Sequence, residues 1–263
     1  MKDTKEMTFW EHLEDLRGVL FKSLIAIVVM MVVIFFAKDF IFGKIIFAPI
    51  RPDFVLYEGV NYILGLLGIS AWETFSMDLI NIDLAAQFFI HLKVTFFLSF
   101  VVAVPYVLFL LWGFISPALY ANEQSSIRRA FSFGAILFFL GVVVGYVMVF
   151  PLTLRFLGTY QVSADVPNQI SLNSYISMFL RLVMVMGLVF EMPALAAILS
   201  RMGIITKELL KKYRRHAVIV LMILAAIITP SGDIFTLTIV GVPLYLLYEF
   251  SIVVCKPAKE NDE

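Results

Sequence analysis

Charged residues are scarce in this chain, and cysteine is almost absent. Only 15% of its 263 residues are charged and 61% are hydrophobic, whereas a soluble domain carries about 25% charged residues. A globular core cannot bury that much apolar surface, so the surrounding solvent is predicted to be lipid. The single cysteine, Cys255, cannot form a disulfide within the chain, so cysteine usage does not indicate a redox compartment.

Residues that would support catalysis are also few. The three histidines, His12, His91 and His216, fall in three different segments and lack metal-ligand spacing. Cys255 has no histidine near it, and no glycine-rich phosphate loop is present. The sequence therefore gives no positive case for an enzyme, and we expect neither a cofactor nor a metal. The formal net charge is zero, and we expect no nucleic-acid partner.

Six apolar stretches predict an all-α, polytopic membrane protein with a single domain over residues 1–263. The first four are long enough to cross a bilayer, which takes about 20 residues. The fifth has only 13 residues, and the sixth has 15 before Glu249, so this hairpin should thin the bilayer or be shielded by partners. A re-entrant fifth stretch is the alternative. The predicted spans are residues 19–37, 94–114, 131–154, 176–199, 217–229 and 234–254, with a long outer loop at 38–93.

The placement of lysine and arginine predicts the topology. If the N-terminus is cytoplasmic and the chain crosses six times, 14 of these residues lie on the cytoplasmic side and five on the outer side, with Arg181 inside the fourth span. This positive-inside bias predicts that both termini are cytoplasmic. In the outer loop, residues 62–72 are apolar enough to lie on the membrane surface, and residues 61–86 could form short cap helices. We favour an ordinary loop docked on its own bundle.

The segment before the first span has an amphipathic pattern. Thr8 and Glu11 have the spacing of a capping box, so a helix is predicted to begin at Thr8. Its apolar residues recur on one face, and this helix should lie on the cytoplasmic surface and run into the first span. Three carboxylates, those of Glu11, Glu14 and Asp15, lie close together here. A segment that served only to keep the N-terminus cytoplasmic would be expected to carry lysine and arginine instead.

Two more groups of residues are candidates for function. In the first cytoplasmic loop, Glu123 is the only acid between Phe114 and Arg129. In the fourth span, exposing the Glu191 carboxylate to lipid would cost free energy, so this side chain should face the bundle interior or a water-filled cavity. A bond from Glu191 to a hydroxyl is the alternative, because Arg181 is about 15 Å away along the helix. Prolines 105, 151, 193 and 243 lie in or at the ends of spans and should bend them.

Several of these segments resemble motifs of the TatC family of twin-arginine translocases. Residues 12–17 (H-L-E-D-L-R) resemble the H-L-x-E-L-R motif that opens TatC proteins, and residues 114–123 resemble the family's F-x-x-P-x-L-x-x-x-E loop. Further matches, in the family's order, are Ala48-Pro49, Phe190-Glu191-Met192-Pro193, and Thr229-Pro230 before Asp233. The resemblance runs from about residue 8 to 254.

The resemblance implies a six-span, glove-shaped receptor that captures Arg-Arg signal peptides of folded proteins at its cytoplasmic face. The key acids would be Asp15 and Glu123, and bidentate arginine–carboxylate bonds suit that chemistry. The family usually has glutamate where this chain has Asp15. Glu14 could share its role, but we favour Asp15 because Glu14 faces about 100° away on a helix. Further residues expected at this site are Arg17, Leu16, Phe114, Pro117 and Leu119, and those expected to shape the fold are Pro49, Pro105, Pro193, Pro230 and Asp233.

The resemblance also implies partners. TatA- and TatB-like single-span proteins and other copies of the chain would assemble with it in a prokaryotic inner membrane, and the proton-motive force would drive export. Glu191 would engage a partner helix from the concave face, and Thr236 and Thr238, which flank Leu237, are weaker candidates for such contact. The alternative function is secondary transport of a small solute. However, such transporters often contain internal repeats, and we find no matching halves.

Overall fold

The fold is described from a computed structural model, whose backbone covers residues 9–116, 121–163, 165–229 and 232–257. Side chains are described over the same ranges except at residues 9, 121–127 and 130. The helices are α1 (Phe9–Phe36), α2 (Lys38–Phe40), α3 (Val55–Leu66), α4 (Ala86–Ile115), α5 (Ala121–Val144), α6 (Phe150–Thr159), α7 (Leu172–Phe190), α8 (Met192–Arg201), α9 (Lys207–Lys212), α10 (Arg214–Ile228) and α11 (Ile234–Val254). Two short strands, β1 (Leu79–Ile80) and β2 (Ile170–Ser171), pair in parallel.

Within the described ranges, five helical segments are long and apolar enough to cross a membrane. They are Trp10–Phe36, Ala86–Ile115, Phe131–Thr159, Leu172–Arg201 and Ile234–Val254. The remaining apolar stretch forms α10, whose 15 residues extend about 22 Å at 1.5 Å per residue. The all-α fold class is therefore confirmed, with a short fifth helix. The sixth span was also expected to be short, but α11 has 21 residues.

Some predicted boundaries differ from the observed ones. The second span was expected to begin at Val94, but α4 begins at Ala86 and includes His91 and Lys93. The Lys93 Nζ donates to Asn173 Oδ1 at the start of α7 (3.4 Å), so the first turns of α4 make a polar contact with the bundle. The amphipathic N-terminal segment and the first span form one continuous helix, α1, as predicted. The proposed cap residue Thr8 lies outside the described residues.

Proline accounts for the interruptions in two spans. Proline lacks an N–H and clashes with the carbonyl four residues earlier. A π-helical segment, Gly145–Val149, accordingly precedes Pro151 at the start of α6. Glu191 forms a turn before Pro193 at the start of α8. Pro105 and Pro243 instead lie inside the continuous helices α4 and α11.

The core lies where α5 and α7 pack against each other, with α4 beside them. Phe138, Phe179 and Met186 are completely buried there. Gly141 and Gly187 permit the close approach, since a Cβ on Gly141 would lie 2.5 Å from the Met186 carbonyl oxygen. On the two flanks, α1 packs along α4, and α11 packs against α8 and α10.

Residues 38–85, which we call the outer segment, are more helical than the sequence indicated. The helix was expected within residues 61–86, but α3 covers Val55–Leu66, and Gly68, with φ of 69°, follows its end. The segment docks on the bundle, as we favoured. The Tyr57 hydroxyl donates to the Pro49 carbonyl (2.9 Å), and the Tyr175 hydroxyl donates to the Ile46 carbonyl (2.6 Å). Burial raises the pKa of Tyr57 to about 12, although nearby Arg155 opposes the shift.

Candidate functional site

The N-terminal part of α1 and the end of α4 meet through two aromatic rings. The His12 imidazole stacks on the Phe114 ring, with centroids 4.2 Å apart and planes 18° apart. His12 belongs to the N-terminal motif, and Phe114 is the first residue of the loop motif. The structure therefore brings together the two segments that the sequence proposed as one site. His12 was not among the residues predicted for this site, although its place in the motif was a usable signal.

Two carboxylates of α1, those of Glu14 and Asp15, follow His12 closely in the sequence. Glu14 and Asp15 are both exposed, and neither makes a hydrogen bond or an ion pair within the part of the chain that the structure describes. Arg17 is exposed as well, and its guanidinium lies over the Phe21 ring at 5.5 Å. Leu16 is half-buried. An arginine side chain arriving from outside can therefore reach two free carboxylates near the start of α1.

Part of the loop motif falls on residues that the structure does not describe. Pro117 and Leu119 are outside the described residues. Glu123 lies in the first turn of α5, but its side chain is likewise outside the description. Phe114 is half-buried against His12. Of the loop residues expected in the site, the structure thus fixes Phe114 and the backbone of Glu123.

Glu191 lies in the turn between α7 and α8, and its carboxylate faces α5. A Cβ on Gly134 would lie 2.6 Å from the Glu191 Oε2 atom, so the carboxylate fills the space that this glycine leaves. The Glu191 Oε1 atom is buried and has no hydrogen-bond partner in the described chain. Arg181 is exposed on α7 and makes no ion pair with Glu191, so neither of the bonds considered for Glu191 is observed.

The two threonines near the start of α11 have different environments. Thr236 is completely buried, and its hydroxyl donates to Asp233 Oδ2 (2.7 Å). Asp233 caps α11 by accepting hydrogen bonds from the Phe235 and Thr236 amides. Thr238 is exposed and donates to the Ile234 carbonyl (2.7 Å). Only Thr238 is thus open to a neighbour, and Pro230 lies outside the described residues.

The hairpin of α10 and α11 is closed by an ion pair that the sequence did not reveal. Arg214 Nη2 lies 2.6 Å from Glu249 Oε2, and the Tyr245 hydroxyl donates to Glu249 Oε1 (2.9 Å). Next to this cluster, a mainly apolar cavity of about 270 Å³ opens between the two helices, lined in part by Thr238, Gly241 and Tyr245. Arg214 and Glu249 are 35 positions apart in the sequence, so no local pattern predicts their ion pair.

Together these features define a class of protein. The chain is a multi-pass helical membrane protein with free carboxylates at one membrane face and a buried, unpartnered carboxylate inside a span. Nothing in this arrangement resembles a catalytic constellation within the described residues.

Comparison with known proteins identifies the family. The family model for the Sec-independent protein translocase protein (TatC) matches residues 11–243. TatC of a Blattabacterium from Periplaneta americana is 35% identical over 260 residues, which is 97% of each chain. TatC of Carboxydothermus hydrogenoformans is 34% identical over 261 residues, 99% of this chain and 97% of that protein. The chain belongs to the TatC family.

Solved structures agree with this assignment. A crystal structure of the twin-arginine translocase receptor TatC matches with a TM-score of 0.71 and 31% identity, over 93% of this chain and 97% of that one. A second TatC receptor structure, in the detergent DDM, matches with a TM-score of 0.75 over 94% and 100% of the two chains. The chain therefore has the TatC fold and is a multi-pass membrane component of a protein translocase.

Proposed function

We propose that this chain receives Arg-Arg signal peptides of folded proteins at its cytoplasmic face. The observation that carries the proposal is the stack of His12 on Phe114. It holds the acidic start of α1 beside the loop that contains Glu123. A peptide bound across this contact would meet carboxylates from two separate segments.

The charge pattern supports arginine as the ligand. The Glu14 and Asp15 carboxylates are exposed and unpaired within the described residues. A planar guanidinium can bind a carboxylate through two parallel hydrogen bonds, which a lysine ammonium cannot reproduce. A site built on such bonds rejects Lys-Lys peptides by geometry rather than by charge alone. We assign the main role to Asp15 on α1 and to Glu123 on the loop.

Single-span proteins of the TatA and TatB type are the proposed partners. The unpartnered Glu191 Oε1 atom would accept a hydrogen bond from a polar side chain of a partner helix, since a carboxylate inside a membrane needs a partner. The short helix α10 and the apolar cavity beside Thr238 offer a second contact region where the bilayer is thinned. In this proposal the protein lies in a prokaryotic inner membrane with both termini cytoplasmic, and the proton-motive force drives transport.

Export in living cells tests the proposal. A strain that lacks its own TatC would be supplied with this chain and its cognate partners, together with a folded reporter behind an Arg-Arg or a Lys-Lys signal peptide. We expect export of the Arg-Arg reporter only, and its loss in Asp15→Ala and Glu123→Ala. Glu208→Ala, which removes an exposed carboxylate from α9, is the matched control and should export normally.

Photocrosslinking to the signal peptide separates Asp15 from Glu14. We expect the crosslink to disappear in Asp15→Ala and to persist in Glu14→Ala. The reverse pattern would transfer the role to Glu14. Normal export by both Asp15→Ala and Glu123→Ala, at wild-type protein levels, would contradict the receptor proposal itself and would bring solute transport back as the leading function.

A further inference from the structure

A cavity of about 490 Å³ lies between the outer end of α1 and the start of α4. Lys38 and Asp39, which follow α1, line it on one side, and Gln87 and His91 from the first turns of α4 line it on the other. Its size falls within the usual range of about 300–1,000 Å³ for small-molecule sites. It is distant in the fold from the His12–Phe114 contact, which lies at the opposite ends of the same two helices.

The charged groups of this cavity have no partners in the protein. Lys38 and Asp39 are both exposed, and neither forms an ion pair or a side-chain hydrogen bond within the described part of the chain. The cavity therefore presents one cation and one anion side by side. A ligand that carries both signs of charge would complement this pair.

His91 and the start of α4 add polar groups that are also unsatisfied. The His91 ring stacks on Phe35 with centroids 4.2 Å apart, and its Nε2 atom is buried without a hydrogen-bond partner among the described residues. The residue before α4 is Ala85, which supplies no side-chain cap. The Ala86 amide donates to the Asp83 carbonyl (3.3 Å), which leaves the Gln87 and Phe88 amides without a backbone partner among the described residues. Free amides at the N-terminus of a 30-residue helix favour a bound anion, because they carry the positive end of the helix dipole.

Exposed phenylalanines lie close to this cavity. Phe36, Phe40, Phe88 and Phe89 surround its position in the chain, and each has more than half of its surface exposed. Exposed aromatic side chains of this kind favour contact with acyl chains, and Lys38 marks the level at which the predicted first span ends. The cavity thus combines the polar side chains of Lys38, Asp39, Gln87 and His91 with apolar walls that include Phe42, Ile90 and Leu172, as expected of a site at the boundary between hydrocarbon and headgroups.

We propose that the cavity binds the headgroup of a zwitterionic phospholipid that carries a primary ammonium. The phosphodiester would be held by Lys38 and the free amides at the start of α4, and the ammonium would donate to Asp39. Because Lys38 and Asp39 follow α1 while Gln87 and His91 belong to α4, the bound lipid would tie the outer ends of these two helices together. This proposal does not depend on the signal-peptide site.

Lipid retention by the purified full-length chain tests the proposal. The protein would be exchanged into nanodiscs containing equal amounts of phosphatidylethanolamine, phosphatidylcholine and phosphatidylglycerol, transferred to mild detergent, and weighed by native mass spectrometry. We expect one retained phosphatidylethanolamine per chain, and about tenfold less retention in Lys38→Ala/Asp39→Ala, equivalent to about 1.4 kcal/mol. Phosphatidylcholine should be retained less, because its trimethylammonium has no N–H to donate to Asp39.

A matched variant and a competitor make the result decisive. Lys44→Ala/Asp53→Ala removes the same two charge types from exposed positions of the outer segment that do not line the cavity, and it should retain lipid like the wild type. Inorganic phosphate should not displace the lipid. Equal retention by both double variants, equal retention of all three lipids, or displacement by phosphate would each overturn the proposal.

Discussion

Glycine at the contact between α5 and α7 determines how closely these helices approach. A Cβ on Gly141 would lie 2.5 Å from the Met186 carbonyl oxygen and 2.7 Å from Phe190 Cβ. Neither atom is at the flexible end of a side chain, so the helices themselves would have to move. Gly113 on α4, in contrast, has open space around it.

We expect Gly141→Ala to lower the free energy of unfolding by about 1–3 kcal/mol, the usual cost of overpacking. Gly113→Ala should be neutral or stabilise by up to about 1 kcal/mol, because alanine is the better helix former. Thermal unfolding of the two purified variants in the same detergent measures the difference. Equal melting temperatures would show that the α5–α7 contact is looser than described.

Gly134 has a different role, because the atom that its Cβ would meet is the end of a side chain. Glu191 Oε2 lies 2.6 Å from that position, so Gly134→Ala should displace the carboxylate without moving α5. We expect this variant to keep wild-type thermal stability but to export less reporter, as should Glu191→Gln. Normal export by Glu191→Gln would contradict the proposed contact with a partner helix.

The sequence identified Glu191 as a candidate functional residue but did not predict which residues surround it. A carboxylate within a span is unusual in any sequence, so the residue could be identified without a structure. Its carboxylate faces Gly134, which is 57 positions away in the sequence. This contact depends on how two helices pack and has no local sequence signal. In the same way, the exposed acids of α1 were evident from the pattern, whereas the stacking of His12 on Phe114 was not.

At the scale of elements, Arg155 fixes the outer segment on the bundle. Its guanidinium lies 4.7 Å from the Trp72 ring centroid and donates to the Glu73 carbonyl (2.9 Å). Tyr57 and Phe75 complete the ring of aromatic contacts. A planar guanidinium can stack and donate at once, which an ammonium on a flexible chain does less well.

We therefore expect Arg155→Ala to increase the hydrogen exchange of residues 72–80. Arg155→Lys should increase it less, because the lysine ammonium replaces only part of the contact. Hydrogen exchange of this segment, followed by mass spectrometry, measures the effect. Arg51→Ala, which removes an exposed arginine from the same outer segment, is the control and should leave exchange unchanged. Wild-type protection in Arg155→Ala would show that the strand pairing of β1 with β2 is sufficient by itself.

Element boundaries were the part of the fold that sequence reasoning predicted least well. Hydrophobicity located the spans, because a bilayer demands long apolar helices. It did not locate the start of α4 at Ala86 or the helix at 55–66, because these helices are stabilised by contacts outside the hydrocarbon, such as Asn61 Oδ1 accepting from the Trp72 amide (2.8 Å). Proline predicted the interruptions near Pro151 and Pro193, whereas Pro105 and Pro243 lie inside continuous helices. The π-helical segment before Pro151 was not predicted.

At the scale of the whole molecule, the topology is the prediction most open to test. We would introduce single cysteines at Gln161 and Lys211, both exposed, in a chain whose only natural cysteine is replaced by Cys255→Ser. A membrane-impermeant thiol reagent should label Gln161→Cys in intact cells and Lys211→Cys only after permeabilisation. The reverse pattern would place the termini outside and the candidate peptide site on the wrong face of the membrane.

Direct binding of signal peptides tests the central claim. The purified chain in nanodiscs would be titrated with an Arg-Arg signal peptide and with its Lys-Lys counterpart, alongside Asp15→Ala, Glu123→Ala and the control Glu208→Ala. We predict at least about tenfold tighter binding of the Arg-Arg peptide, roughly 1.4 kcal/mol, and loss of that preference in the first two variants only. Equal affinity for the two peptides, unchanged by Asp15→Ala or Glu123→Ala, would contradict the proposal that this TatC-family chain recognises twin arginines itself.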